Sequence, residues 1–303
     1  MPSPLAEGFA RLKGWGDDDL AAALGAYAQS IDLLDPQWPR PDGTPARAFF
    51  ETRFQVLPTA QNAMLTGYYE PELPGSLTRD DDYRFALYAA PHDLTSQLPW
   101  HDRTAIETRN LLAGSELVWL NSALEAFLAQ VQGAVRVRLA DGRTHRFGYA
   151  GKNGHPYSSI GKELLRRGDL SEADCSVTAI RAWAARNSDA LGDLLRINKS
   201  FVFFRALDLP ENVGPLGTMQ RSVTAMRSLA VDPAHIPLGA PVWVTMDGMA
   251  RLMVAQDTGS AILGPARGDI FFGTGPEAGR TAGAVRAKGT MTVLAPKTGR
   301  AVA

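Results

Sequence analysis

The chain has 303 residues, enough for two domains of ordinary size, and its 45% hydrophobic and 21% charged residues match a soluble globular protein rather than a disordered or fibrous one. Lys and Arg number 31 against 32 Asp and Glu, a formal net charge of −1, so bulk electrostatics gives no grip on nucleic acid or an anionic membrane surface.

The N-terminus, Met1-Pro-Ser-Pro-Leu-Ala-Glu, has neither a basic n-region nor an apolar h-region. It reads as a cytoplasmic chain or as one whose export signal has been removed. Asp17 to Asp35 opens acidic and then repeats Ala, Leu and Ile at helical spacing, which predicts a helix. After the proline-rich break at Pro36–Pro41, Phe49 to Val56 and Ala63 to Tyr69 read as short strands. Pro71 to Pro99 reads mostly as loop. Helices are expected at Thr104–Ala113 and Asn121–Val131, then a hairpin of Val135–Leu139 and Thr144–Tyr149 turning on Asp141-Gly142. Further helices are expected at Ser159–Arg167, Ser176–Asn187 and Asp189–Ile197. From Ser200 the texture changes to short strands, at Phe201–Leu207, Ser228–Val231, Pro241–Met246, Arg251–Gln256, Ile270–Phe272 and Thr290–Leu294. Turns rich in Gly, Pro and Asp separate them, and almost no helix is expected there, as in a small β-barrel.

Three aspartates stand at the ends of these late strands: Asp232, Asp257 and Asp269. Strand ends of a barrel converge on a rim, where crowding and partial burial disfavour ionisation, so one carboxyl can keep its proton near neutral pH and act as a general acid. Aspartate also ends strands simply because it makes turns. The Gly-rich loop between Asp257 and Asp269, with Gly259, Ser260 and Ala261, suits close approach of a ligand to the backbone or merely a tight connection. Thr66, Gly67, Tyr68, Tyr69 and Glu70 place two aromatic faces beside polar groups, a composition that stacks on sugar rings but also occurs in cores. Lys152, Asn153, His155, Tyr157, Ser158 and Ser159 crowd one strand-to-helix loop, where they can hydrogen-bond hydroxyls and acetamides. Ser158 or Ser159 alone would account for a helix cap. Cys175 is the sole cysteine and the five histidines show no ligand spacing, so no disulfide, metal or cofactor is expected.

The strings LTGYYEPEL (65–73), VQGAVRVRLADG (131–142), YAGKNGHPYSSIGKELLRRG (149–168), NKSFVFFR (198–205), RSLAVDPAHIPLGAPVWV (227–244) and MVAQDTGSAILGPARGDIFFGTGPEAGRTAG (253–283) resemble the membrane-bound lytic murein transglycosylase A family, the last two its C-terminal 3D module. The resemblance implies a mainly β protein with α elements. A double-psi β-barrel would comprise residues 1–70 plus 206–303, with the 3D module at about 215–298, and a second β-rich domain at 71–205 would be inserted across a groove. It implies cleavage of the β-1,4 bond between N-acetylmuramic acid and N-acetylglucosamine in peptidoglycan, yielding 1,6-anhydro products. Asp269 matches the catalytic aspartate, and Asp257 and Asp232 the other two acids. The glycan-facing residues would come from positions 66–70, 152–159 and 259–261. The expected partners are glycan strands and a cell-wall remodelling complex, with no nucleic acid. The expected location is the periplasm of a Gram-negative bacterium, with outer-membrane attachment only through a lipid anchor that this chain lacks. Two other readings remain open at this stage: an inverting hydrolase with Asp257 or Glu70 as base, and a non-catalytic glycan-binding module.

Overall fold

The computed structural model describes residues 6–94 and 98–297; the residues read for an export signal at 1–5, and 95–97 of the Pro71–Pro99 stretch, lie outside them. In chain order, helices α1 (Ala6–Ala10), α2 (Leu20–Ala28) and α3 (Ala46–Arg53) precede strands β1 (Phe54–Val56), β2 (Ala60–Glu70), β3 (Glu72–Ser76) and β4 (Phe85–Tyr88). Then come α4 (Arg103–Thr108), β5 (Glu116–Leu120), α5 (Ala123–Gln132), β6 (Ala134–Arg138) and β7 (Thr144–Lys152). Helices α6 (Ile160–Arg167), α7 (Val177–Arg186) and α8 (Ser188–Arg196) lead to β8 (Val202–Leu207), β9 (Ser228–Val231), β10 (Pro241–Met246), β11 (Met249–Asp257) and β12 (Arg267–Thr274). Helix α9 (Gly275–Ala284) and β13 (Arg286–Pro296) follow. The protein is mainly β with helices, and it divides into two compact units, one of residues 1–69, 211–273 and 280–303 and one of residues 70–210 and 274–279.

In the first unit the strands run β1-β13-β10-β11-β9-β12-β2, and β13 also pairs with β2. Six of the strands therefore close into a ring. Strands β10 and β11 are buried on both faces, which explains their nearly unbroken apolar sequence. Val242, Val244, Met253 and Ala255 join Leu65, Leu229 and Ile270 in one core, while Trp243, Leu252 and Val254 alternate into a second core with helices α2 and α3. Helix α2 begins where Asp19 accepts from the Ala22 N–H at 3.1 Å, and it buries Leu20, Ala23, Ala26 and Tyr27. Asp18 forms a buried two-pronged pair with Arg227 at 2.8 and 2.9 Å and also accepts from the Leu252 N–H, which fastens the N-terminal segment to the sheet.

The segment Phe49–Val56, expected as one strand, is helical up to Arg53. Phe49, Phe50 and Phe54 all enter one aromatic cluster with Tyr27, and the adjacent pair Phe49 and Phe50 would point to opposite faces of a strand. The expected scarcity of helices after Ser200 also fails at α9, whose glycine content conceals it.

The second unit holds a six-stranded sheet in the order β4-β5-β3-β6-β7-β8. Strands β3 and β4 occupy the stretch expected as loop: Pro74 and Gly75 break the strand signal, yet a Cβ on Gly75 would lie 2.3 Å from Val137, so close sheet packing selects that glycine. The hairpin of β6 and β7 pairs Arg138 with Thr144, and Gly142 in its turn has φ +85°. Helix α5 packs on this sheet, while α6, α7 and α8 build a separate cluster around Leu164, Trp183 and Leu194.

Candidate active site

Strands β11 and β12 flank β9, β11 parallel to it and β12 antiparallel, and both Asp257 and Asp269 take Ala230 as their register partner. Paired residues project from the same face, so the two carboxylates stand in one row on either side of a small alanine. A bulge makes this row. Between Ala255 and Asp257 the register of β11 slips by one, so that Gln256 is the extra residue and Asp257 takes its place in the row. Gln256 is fully buried and turns toward α2, donating to Ala26 O at 2.8 Å and Ser30 Oγ at 3.1 Å while accepting from Ser228 Oγ at 2.6 Å.

Strand β2 contributes from the ring neighbour of β12. Ala63 and Leu65 point into the core, and the period of two turns Thr66 and Tyr68 to the other face. The Thr66 hydroxyl donates to Asp269 Oδ1, and the Tyr68 hydroxyl donates to Asp257 Oδ2 at 2.9 Å. Asp257 Oδ1 accepts three further hydrogen bonds, from the backbone N–H groups of Thr218 and Thr258, each at 2.9 Å, and from Thr218 Oγ1 at 3.0 Å. Burial raises the Asp257 carboxyl, against the pull of these donors. Burial likewise pushes the Asp269 carboxyl up to about 6; Thr66 and Arg267 pull it down, and the Asp257 charge adds to the rise. Asp269 is therefore poised to carry a proton near neutral pH and to part with it.

Asp232 stands apart. It accepts from the Ala234 N–H at 3.0 Å and the Gly264 N–H at 2.6 Å, and these bonds hold its carboxyl below the usual range. The expected patch of three crowded carboxylates thus contains two, and Asp232 instead ties down the loop between Asp257 and Asp269. Ile262, within the same loop, is buried and anchors it from inside, and a Cβ on Gly259 would lie 2.7 Å from Ile262. Ser260 and Ala261 are exposed at its tip.

Several residues expected to face glycan have other duties. Glu70 is 1% exposed and ion-paired with Arg136 at 2.8 Å and Arg146 at 3.0 Å, with the Thr274 hydroxyl donating to it at 2.8 Å. A carboxylate so enclosed has no room for sugar or for a nucleophilic water. Gly67 serves packing: a Cβ there would lie 2.7 Å from Phe272 and 2.8 Å from Ala282. Tyr68 lies against Phe271, 5.2 Å between centroids, and spends its hydroxyl on Asp257. Asn153 is fully buried, donating to His101 O and Lys199 O at 2.9 and 2.8 Å and accepting from the Phe201 N–H at 2.9 Å. Ser159 caps α6 by accepting from the Lys162 N–H at 3.3 Å. His155 Nε2 lies 2.8 Å from Trp100 O, and the Ser158 N–H donates to Asn198 Oδ1 at 3.0 Å. Tyr69, Lys152, His155, Tyr157 and Ser158 are all partly exposed.

The sequence reading missed Arg103, which organises the frame around Asn153. Its guanidinium lies 4.8 Å from the rings of both Phe127 and Phe201 and donates to Asn198 O, Ser200 O and Gln130 Oε1. Burial lowers its pKa to about 10, so it remains charged. It also missed Thr218, Gln256 and Arg267, none of which lies in a pattern that marks it. Among the described residues no group of three His, Cys, Asp or Glu could hold a metal ion, and no helix is long and apolar enough to cross a membrane.

Two family models match the chain, the MltA specific insert domain over residues 64–205 and the 3D domain over residues 227–295. The class is thus a 3D-domain protein that carries an MltA insert. The membrane-bound lytic murein transglycosylase A of Escherichia coli (strain K12) is 36% identical over 247 residues, which cover 77% of this chain and 66% of that protein. A membrane-bound lytic murein transglycosylase from Agrobacterium tumefaciens superposes with a TM-score of 0.83 at 34% identity, covering 95% of this chain and 96% of that one. The E. coli MltA structure with bound chitohexaose matches with a TM-score of 0.75 at 29% identity, covering 97% of this chain and 87% of that one. The chain belongs to the membrane-bound lytic murein transglycosylase A family, and it spans 66% of the length of the curated E. coli relative.

Proposed function

We propose that the protein is a lytic transglycosylase that cleaves the β-1,4 bond between N-acetylmuramic acid and N-acetylglucosamine in peptidoglycan and leaves 1,6-anhydromuropeptides. The observation that carries this reading is Asp269, a carboxyl held at about 6 on a strand rim beside a second carboxylate. Protonated, it donates to the glycosidic oxygen, and the C1–O bond breaks with its electron pair on that oxygen. As carboxylate, it then takes the proton of the muramoyl C6 hydroxyl while O6 bonds to C1. Water takes no part. General acid–base groups contribute roughly 10²–10⁴ in rate, and here one group serves both steps.

An inverting hydrolase needs a second carboxylate about 6.5–9.5 Å from the first, with room for a water. Glu70 is locked between two arginines, and Asp257 is filled by four donors. Neither suits a base that must activate water. A purely glycan-binding module would have no use for a carboxyl buried at the cost of its ionisation. The names of the relatives and the chitohexaose bound to E. coli MltA support a glycan substrate.

The closed ring of six strands supports a double-psi barrel as the catalytic domain, with the insert as its glycan-binding companion. Tyr69, Lys152, His155, Tyr157, Ser158 and the tip at Gly259, Ser260 and Ala261 are at least partly exposed, and these are the residues we assign to sugar contact. Periplasmic residence in association with the outer membrane is the location that the membrane-bound relatives support.

Digestion of purified sacculi, with the released muropeptides weighed by mass spectrometry, tests the reading. Anhydro products are expected; products heavier by one water would move the assignment to hydrolysis.

A further inference from the structure

We propose that Arg267 and Thr66 form a one-way donor relay that assigns the catalytic proton of Asp269 to a single oxygen, Oδ2, which makes Arg267 a positioning residue. The proposal rests on the reading of Asp269 as acid and base.

The Arg267 guanidinium is fixed by three oxygens, Met64 O at 3.2 Å, Gly268 O at 2.6 Å and Thr66 Oγ1 at 2.8 Å. These come from β2 and β12, the two strands whose side chains meet at Asp269. A guanidinium has donors only and keeps its proton throughout the accessible pH range. A threonine hydroxyl has one proton and two lone pairs. With Arg267 occupying a lone pair, the Thr66 proton is directed onward, and its acceptor is Asp269 Oδ1. The sense of the chain is therefore fixed as Arg267 to Thr66 to Asp269. A proton on Oδ1 would turn O–H against O–H, so Oδ1 is the poorer proton site and Oδ2 carries the acid proton.

The same relay serves both half-reactions. When Oδ2 has given its proton to the departing sugar oxygen, the new carboxylate keeps the Thr66 hydrogen bond on Oδ1 and feels the guanidinium behind it. Oδ2 then accepts the proton of the C6 hydroxyl. The charged and titratable groups facing Asp269 are Arg267 on its own strand, Asp257 on β11 and Tyr68 on β2. Thr66 and Arg267 favour the ionised form and Asp257 opposes it. Removing either member of the relay therefore moves the carboxyl upward. Thr66 had been expected as a sugar ligand; here its hydroxyl is already committed to Asp269.

The test is the pH profile of kcat/KM for anhydromuropeptide release by the full chain and by Thr66→Val, Thr66→Ser, Arg267→Met and the double variant Thr66→Val/Arg267→Met. The descending limb should move up by about one pH unit in Thr66→Val, the size expected for losing a hydrogen bond to a charged carboxylate. It should move the same way in Arg267→Met and stay in place in Thr66→Ser. The double variant should shift by less than the sum of the singles, because the part of the Arg267 effect that passes through the hydroxyl is lost with Thr66 while its direct charge effect on Asp269 remains. An unmoved limb in Thr66→Val, or a double-variant shift equal to the sum of the singles, would overturn the relay. If Thr66→Val does not fold, an unmoved limb in Arg267→Met overturns it equally. Asp269→Asn and the product masses report on the underlying reading separately. A variant that stays active, or hydrated products, sinks that reading, whereas a dead Asp269→Asn with anhydro products and an unmoved limb sinks only the relay.

Discussion

In the proposed mechanism Asp269 sets activity and stability in opposite directions. Its folded value of about 6 lies above the ordinary 3.8, so the folded protein holds that proton more tightly than the unfolded chain. The corresponding stability is fully present below pH 3.8 and is lost as pH rises through 6, a span worth up to about 3 kcal/mol. Asp269→Asn should therefore melt higher than the parent at pH 7 and at nearly the same temperature at pH 4, while turnover falls by roughly 10²–10⁴ or more. Thermal melts at the two pH values, beside a muropeptide assay, check both halves; a variant that melts lower at pH 7 would mean that the carboxylate is stabilising instead. Asp257→Asn removes a charge that raises Asp269, so the descending limb of its pH profile should move down, with a smaller loss of rate than Asp269→Asn. The strand-end pattern was enough to single out Asp257 and Asp269. It could not separate them from Asp232, because an aspartate that binds backbone N–H groups and one buried beside another acid look alike in sequence.

At the scale of elements, the site depends on features that leave little trace in a sequence. Most strands and helices were legible from periodicity and caps: Ser159 before α6, Ser176 before α7 and Gly142 in the β6–β7 turn all mark boundaries that the structure has. The bulge at Gln256 was not legible, since Arg-Leu-Met-Val-Ala-Gln-Asp alternates no differently with or without it, yet it sets Asp257 rather than Gln256 beside Ala230. The tie from Asp232 to Gly264 was equally hidden, being a bond to a backbone N–H. Asp232→Ala should release the loop at 258–266, seen as faster amide hydrogen exchange confined to that segment and a several-fold drop in kcat. Exchange unchanged in the loop would show that the Ile262 anchor suffices without the carboxylate.

On the scale of the whole molecule, Glu70, Pro210 and Thr274 stand at three of the four points where the chain passes from one unit to the other, and one hydrogen-bonded cluster around the buried Glu70 and Arg146 holds all three. Glu70 pairs with Arg136 and Arg146 and accepts from Thr274, while Arg146 also donates to Pro210 O at 2.7 Å. Glu70→Ala would strand two buried guanidinium groups and should cost about 3–5 kcal/mol, measured by denaturant unfolding. A loss below about 1 kcal/mol, the value of an exposed pair, would contradict the buried cluster. The same interleaving has a consequence for synthesis on the ribosome. The first unit needs β13 beside β1, β2 and β10, with Phe54 opposite Pro296, whereas the second unit is nearly all contained in residues 70–210. Emerging in order, the insert can fold while β2 waits for its partner, and the strand that carries Thr66 is locked into the ring only when β13 arrives.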